Sequence, residues 1–117
     1  MHYSACAMNP EIHLFAGLTL LGTIEAKVVD VSMGVIGGIL KPISAYYTNY
    51  QSFFQAHLET PDWKGLAALD LKAISPLTGE IVAEGGIDIT DVEGFDEVDV
   101  NVCGIGFQQM KWLFPEC

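Results

Sequence analysis

Arginine is absent from this chain of 117 residues, and its cations are five lysines set against fifteen aspartates and glutamates. Without a guanidinium, the two-pronged recognition of phosphate or carboxylate is unavailable. The formal net charge is −10 at pH 7. A nucleic-acid binder needs cations to displace phosphate counterions, so that class is excluded, and so is docking on an anionic membrane. Cysteine is scarce: Cys6, Cys103 and Cys117 are odd in number and form no Cys-x-x-Cys pair. Small secreted scaffolds are usually richer in cysteine, which points to a reducing cytoplasm. Long apolar runs are also missing. The best candidate, Leu14 to Ile24, is interrupted by Gly17, Thr19, Gly22 and Thr23 and reaches about half of the ~20 residues a membrane helix needs. Met1 to Cys6 contains no Lys or Arg, and no apolar run precedes Cys6, so neither a secretory nor a lipoprotein signal is readable. Met8-Asn9-Pro10 reads as an alternative start, and residues 1–10 are expected to be a loose extension of a single domain covering residues 1–117.

What is present suits a compact domain: half the residues are apolar, and a chain of this length buries enough surface to fold without metals or disulfides. Ile12 to Ala16, Thr23 to Val28 and Val35 to Leu40 read as strands, the second with Ile24, Ala26 and Val28 alternating against Thr23, Glu25 and Lys27. Ser44 to Leu58 reads as one long helix. Tyr46, Tyr50, Phe53, Phe54 and His57 share one face, while Thr48, Asn49, Gln51, Ser52 and Gln55 take the other. Leu66 to Ile74, Ile81 to Thr90 and Val98 to Val102 read as further strands, and Phe107 to Phe114 as a last helical turn. Short connections favour antiparallel pairing. The expectation is an α+β fold, with a mostly antiparallel sheet of five or six strands and one long amphipathic helix packed on it.

Motifs that carry chemistry are tested and fail. Asp88 to Gly94 invites a calcium reading, but placing Gly94 at the required glycine of a calcium loop puts Ile89 and Val100 at the first and last ligand positions. Both are apolar. Gly34 to Gly38 lacks the Gly-Lys-Ser/Thr ending of a phosphate loop, and Lys41 precedes a proline. These glycines suit bulges or close packing instead. His2, His13 and His57 have no metal-ligand spacing, and a pairing of Cys103 with His57 would depend on proximity that spacing cannot provide. No catalytic residue, cofactor or metal is therefore expected.

Charge is unevenly distributed. Three carboxylates and two lysines precede Glu59, whereas twelve carboxylates and three lysines follow from it. Within Glu84 to Asp99 no cation accompanies Glu84, Asp88, Asp91, Glu93, Asp96, Glu97 and Asp99. Such a run is either a solvated loop favouring solubility or a docking surface whose field steers a basic partner. On the second reading the partner-binding residues are Asp88, Asp91, Glu93, Asp96, Glu97 and Asp99.

The run Asp30-Val31-Ser32-Met33-Gly34-Val35-Ile36-Gly37-Gly38, followed by Pro42 and Tyr46, together with Gly85-Gly86-Ile87-Asp88-Ile89, resembles a pattern in small acidic bacterial proteins. Some of these are similar to immunity proteins of contact-dependent and other polymorphic toxin systems. The matching runs cover about a fifth of the chain. The resemblance implies a non-enzymatic, cytoplasmic binder that neutralises a cognate toxin by contact. A nuclease domain fits on physical grounds, because its basic cleft suits an acidic occupant. Two rivals stand beside it: a small-molecule-binding or enzymatic module with a pocket between helix and sheet, and a structural domain whose acidity only keeps it soluble.

Overall fold

The structure, a computed structural model, describes residues 9–115. Most of the extension expected over residues 1–10 lies outside them, as do His2, Cys6 and Cys117. Among the described residues nine strands and four helices follow in chain order: β1 (Glu11–Ala16), β2 (Thr19–Glu25), β3 (Lys27–Asp30), β4 (Val35–Ile39), β5 (Lys41–Pro42), α1 (Ser44–Asn49), α2 (Gln51–Glu59), α3 (Trp63–Leu69), β6 (Leu71–Ser75), β7 (Gly79–Ile81), β8 (Ala83–Asp91), β9 (Val98–Ile105) and α4 (Phe107–Leu113). Every strand pairing is antiparallel. The α+β class is therefore as expected, but the single sheet is not. One sheet has the order β5-β2-β1-β6-β7 and a second has β3-β4-β9-β8.

The two sheets arise because continuous stretches of strand bend and change partners. Only Ala26 separates β2 from β3, and only Leu40 separates β4 from β5. Both residues are buried, and their N–H groups donate to Pro10 O and Val98 O. The hairpin of residues 19–42 thus contributes one end to each sheet. Its bend needs glycine: a Cβ on Gly38 would lie 2.7 Å from Glu25 O, and one on Gly37 would lie 2.8 Å from Val100 O. Tight packing, rather than phosphate binding, accounts for this glycine run. Ile12, Leu14, Leu21 and Ile24 from one sheet and Ile36, Ile89, Val100 and Val102 from the other form a shared core with Tyr46 and Phe54.

The expected long helix is broken at Tyr50, whose φ of −127° and ψ of −29° leave helical geometry between α1 and α2. The break has a consequence at ~100° per residue: in a straight helix Gln51 and Gln55 would point about 140° and 180° away from Tyr46. The break lets all three side chains meet at one carboxylate, Asp91.

The strand expected over Leu66 to Ile74 is also corrected. Its first part is α3, capped by Asp62, whose Oδ1 accepts from Gly65 N at 2.9 Å. Asp70 in the left-handed region (φ 56°) ends the helix, and regular strand begins only at Leu71. The final helix α4 buries Met110 and Leu113, while the Gln109 side chain accepts from Val82 N and donates to Glu80 O. That amide covers the outer edge of β7.

Candidate docking surface

The acidic run occupies β8, the loop of residues 92–97 and the start of β9. Along β8, Ile89 and Asp91 turn inward, and Asp88 turns outward beside Asn101 of β9. Along β9, Val98 and Val100 turn inward and Asp99 outward. This is the alternation of a sheet with one solvated face, and it assigns the carboxylates to two environments.

Asp91 corrects the sequence expectation. The charge run puts it on the docking surface, yet it is fully buried. Tyr46 Oη donates to its Oδ2 at 2.6 Å, Gln51 Nε2 to Oδ2 at 3.2 Å and Gln55 Nε2 to Oδ1 at 3.1 Å. No cation pairs with it among the described residues. A buried carboxylate must be solvated by donors that replace water, and these three perform that role. Burial, the hydrogen bond to Asp91 and the nearby charge all push the Tyr46 phenol far above its ordinary range. The hydroxyl therefore stays a donor at every physiological pH. Asp91 joins the broken helix to β8 and presents nothing to a partner.

Asp88, Glu93, Asp96, Glu97 and Asp99 are all exposed. The loop holding three of them turns on Gly94 (φ 93°), with Phe95 N donating to Val92 O. It also leaves Phe95 69% exposed. Beside it an open groove of about 550 Å³ runs along α2, with Ala56, Leu58 and Val92 as apolar lining and Glu59 and Glu93 at its sides. Glu59 is a member of this surface that sequence reasoning missed. It lies more than thirty positions upstream, and only the packing of α2 against β8 brings it close.

The lysine ion pairs among the described residues lie elsewhere, Lys41 with Glu25 and Lys72 with Asp70, and the His13 ring meets Glu11 at 3.0 Å. Lys41 holds the Glu25 carboxyl below its usual range, and Glu25 in turn raises the Lys41 ammonium. Lys41 and Lys72 are thus paired with acids outside the run, and no carboxylate of the run lies within ion-pair distance of a lysine among the described residues, although Lys27 lines the same shallow pocket as Asp99.

His57 Nδ1 accepts from Asp62 N at 2.8 Å, and its ring stacks on Phe53 and meets the edge of Trp63. These contacts fix the ring in a packing role, and no hydrogen bond joins it to Cys103 among the described residues. The Cys103 thiol is raised by partial burial and then by the Asp88 charge, opposite to what an activated nucleophile requires. Among the described residues no group of three His, Cys, Asp or Glu side chains is placed to hold a metal. No helix among them is long and apolar enough to cross a membrane. No protein-family model, curated protein or solved structure matches the chain.

Proposed function

We propose that this chain is a cytoplasmic immunity protein that binds a cognate basic toxin domain by direct contact and has no catalytic role of its own. Asp88, Glu93, Asp96, Glu97 and Asp99 meet the partner, joined by Glu59, and Asp91 holds the surface in shape from below. The observation that carries this reading is a set of exposed carboxylates, none within ion-pair distance of a lysine among the described residues, two of which, Glu59 and Glu93, flank a partly apolar groove, with Phe95 exposed in the same loop. Interfaces commonly have this anatomy, with an apolar centre that loses its water and a polar rim that sets register and encounter rate. A nuclease domain suits the role because its phosphate-binding cleft is cationic. The resemblance of the Asp30–Gly38 and Gly85–Ile89 runs to those of small acidic bacterial proteins, some of them similar to immunity proteins, supports the same reading.

The test is co-expression with the product of the neighbouring reading frame. That protein should arrest growth alone, and this chain should restore growth while forming a complex that weakens as salt rises. A neighbour that is harmless, or that is neutralised without any complex forming, would overturn the reading.

A further inference from the structure

The two ends of the sheet system are finished differently. In the first sheet, the outer edge of β7 is covered by the amide of Gln109. In the second, β8 is an end strand of nine residues, bulged between Ala83 and Gly86 and regularly paired from Gly86 to Asp91, and only β9 bonds its backbone among the described residues. Alternate N–H and C=O groups along an end strand point away from its neighbour, which makes the edge a template for another chain.

Facing this edge is α3, and between them lies an open trough of about 640 Å³. Leu66 and Ala67 line the helix side, and Ile87 adds an apolar surface on the strand side. Gly85 and Gly86 remove side chains from the strand at this point: a Cβ on Gly85 would lie 3.0 Å from the Cβ of Cys103, which also lines the trough, whereas one on Gly86 would meet nothing within 4 Å. The backbone is therefore reachable from the trough. Trp63, 69% exposed, also lines it. A trough between a helix and a free strand edge is the geometry that accepts an extended peptide as an added strand.

Charge selects the occupant. β8 exposes Glu84 and Asp88 and carries no cation. Asp70 at the trough is paired with Lys72 at 3.5 Å, whereas Asp88 has no such partner among the described residues. A second copy of this chain pairing edge to edge would set β8 carboxylates against each other, which destabilises a cross-strand pair. A strand bearing lysine or arginine gains at Asp88 and can lay its cation over the Trp63 ring.

We propose that β8 and α3 form a receptor for an extended, lysine- or arginine-bearing segment of another protein, which adds to the four-stranded sheet beside Gly85–Asp88. The inference deepens the docking reading and rests on it for the charge of the partner. At ~3.3 Å per residue, the contact spans about 13 Å, so main-chain bonds provide most of the hold and Asp88 provides the selectivity.

The probe is an end-blocked peptide of alternating lysine and valine, added to the whole protein while the amide signals are followed by NMR. Trp63 emission is read in a Trp112→Phe background. The expected result is shifts concentrated at residues 85–88, with a change in Trp63 emission. Binding should weaken about tenfold or more in Ala67→Trp, which fills the trough from an exposed helix position, and by a smaller factor in Asp88→Asn. Copies of the peptide N-methylated at alternate residues, made in both phases, test the main-chain bonds without altering the protein. The phase that removes the pairing N–H groups should fail to bind.

Three results would overturn the inference: no binding at ~1 mM peptide, equal binding by both N-methylated copies, or shifts confined to residues 92–97. A glutamate–valine peptide binding equally well, or a dimer of this chain that Ala67→Trp abolishes, would overturn the choice of occupant. Failure of the wider reading looks different. There, the lysine peptide still binds the trough while neutralising Glu93, Asp96, Glu97 and Asp99 leaves the toxin complex unchanged.

Discussion

Asp91 and Asp96 stand five positions apart in one acidic run, and the fold uses them in opposite ways. Asp91 is buried and receives three side-chain hydrogen bonds, from Tyr46, Gln51 and Gln55. Asp96 is exposed in the loop between β8 and β9, with no side-chain partner among the described residues. The same carboxylate is a structural anchor in one place and a source of field in the other. What separates them is sheet alternation: Asp91 is the last inward position of β8, and the loop begins immediately after it. A count of charges in the run treats these residues alike, but burial divides them.

The largest effect that tests this division is on stability. Asp91→Ala leaves Tyr46, Gln51 and Gln55 without their shared acceptor and should destabilise the fold on the order of 3 kcal/mol, measured by chemical denaturation. Asp96→Ala should leave the denaturation midpoint where it is. Equal losses for the two would erase the comparison.

Next in size is Tyr46→Phe, expected to cost about 2 kcal/mol because it removes the shortest donor to a buried charge. It also sharpens the comparison through pH. The Tyr46 phenol is raised in the folded state above its ordinary value of 10.0. In the unfolded chain it ionises at the ordinary value, so its contribution is intact below that pH and is lost as pH rises above it. Stability should therefore be level through neutral pH in this respect and decline above pH 10.0. The decline should be shallower in Tyr46→Phe, as read from denaturation curves at successive alkaline pH values.

Gln51→Ala and Gln55→Ala should each cost about 1 kcal/mol, less than Tyr46→Phe, since each removes one longer bond at a half-buried position. A loss near zero for both would leave Tyr46 as the sole support of Asp91. Smallest of all is the effect of Glu93→Gln, Asp96→Asn, Glu97→Gln and Asp99→Asn combined. The melting temperature should hold or rise slightly, because neutralisation relieves self-repulsion. A clear fall would show that the exposed acids, too, support the fold.

Much of the fold was legible because strands that face one core alternate. Ile12 to Ala16 and Val98 to Val102 lie within observed strands, and Val35 to Leu40 and Phe107 to Phe114 match β4 and α4 within one residue. Two readings failed for identifiable reasons. The alternation of Leu69, Leu71 and Ala73 begins inside a helix end, and the cap at Asp62 followed by Trp-Lys-Gly-Leu-Ala-Ala-Leu was the signal for α3. In a straight helix Gln51 and Gln55 fall on the solvated face. The break at Tyr50 has no proline or glycine to announce it, and its purpose appears only with Asp91 in place.

At the candidate site, five of the six expected acids are exposed and one is buried. The alternation Ile87, Ile89, Asp91 carried that information, since the third inward position of such a strand is a core position whatever residue occupies it. The groove along α2 and the trough beside α3 were not legible. Each joins residues from elements distant in sequence, and the free edge of β8 depends on a strand order that periodicity does not encode.

The most direct test of the central claim is the association rate with the proposed basic partner, followed across a salt series for three proteins. Wild type should associate quickly at low salt and slow as the screening length contracts to roughly 10 Å at 0.1 M. Asp91→Asn, if folded, should follow the same curve, because its charge is spent on Tyr46, Gln51 and Gln55. The variant neutralised at Glu93, Asp96, Glu97 and Asp99 should start about tenfold slower and change little with salt. A neutralised variant that matches wild type at low salt, or an Asp91→Asn curve that falls to the neutralised one, would contradict the division of this acidic run into an anchor and a docking surface.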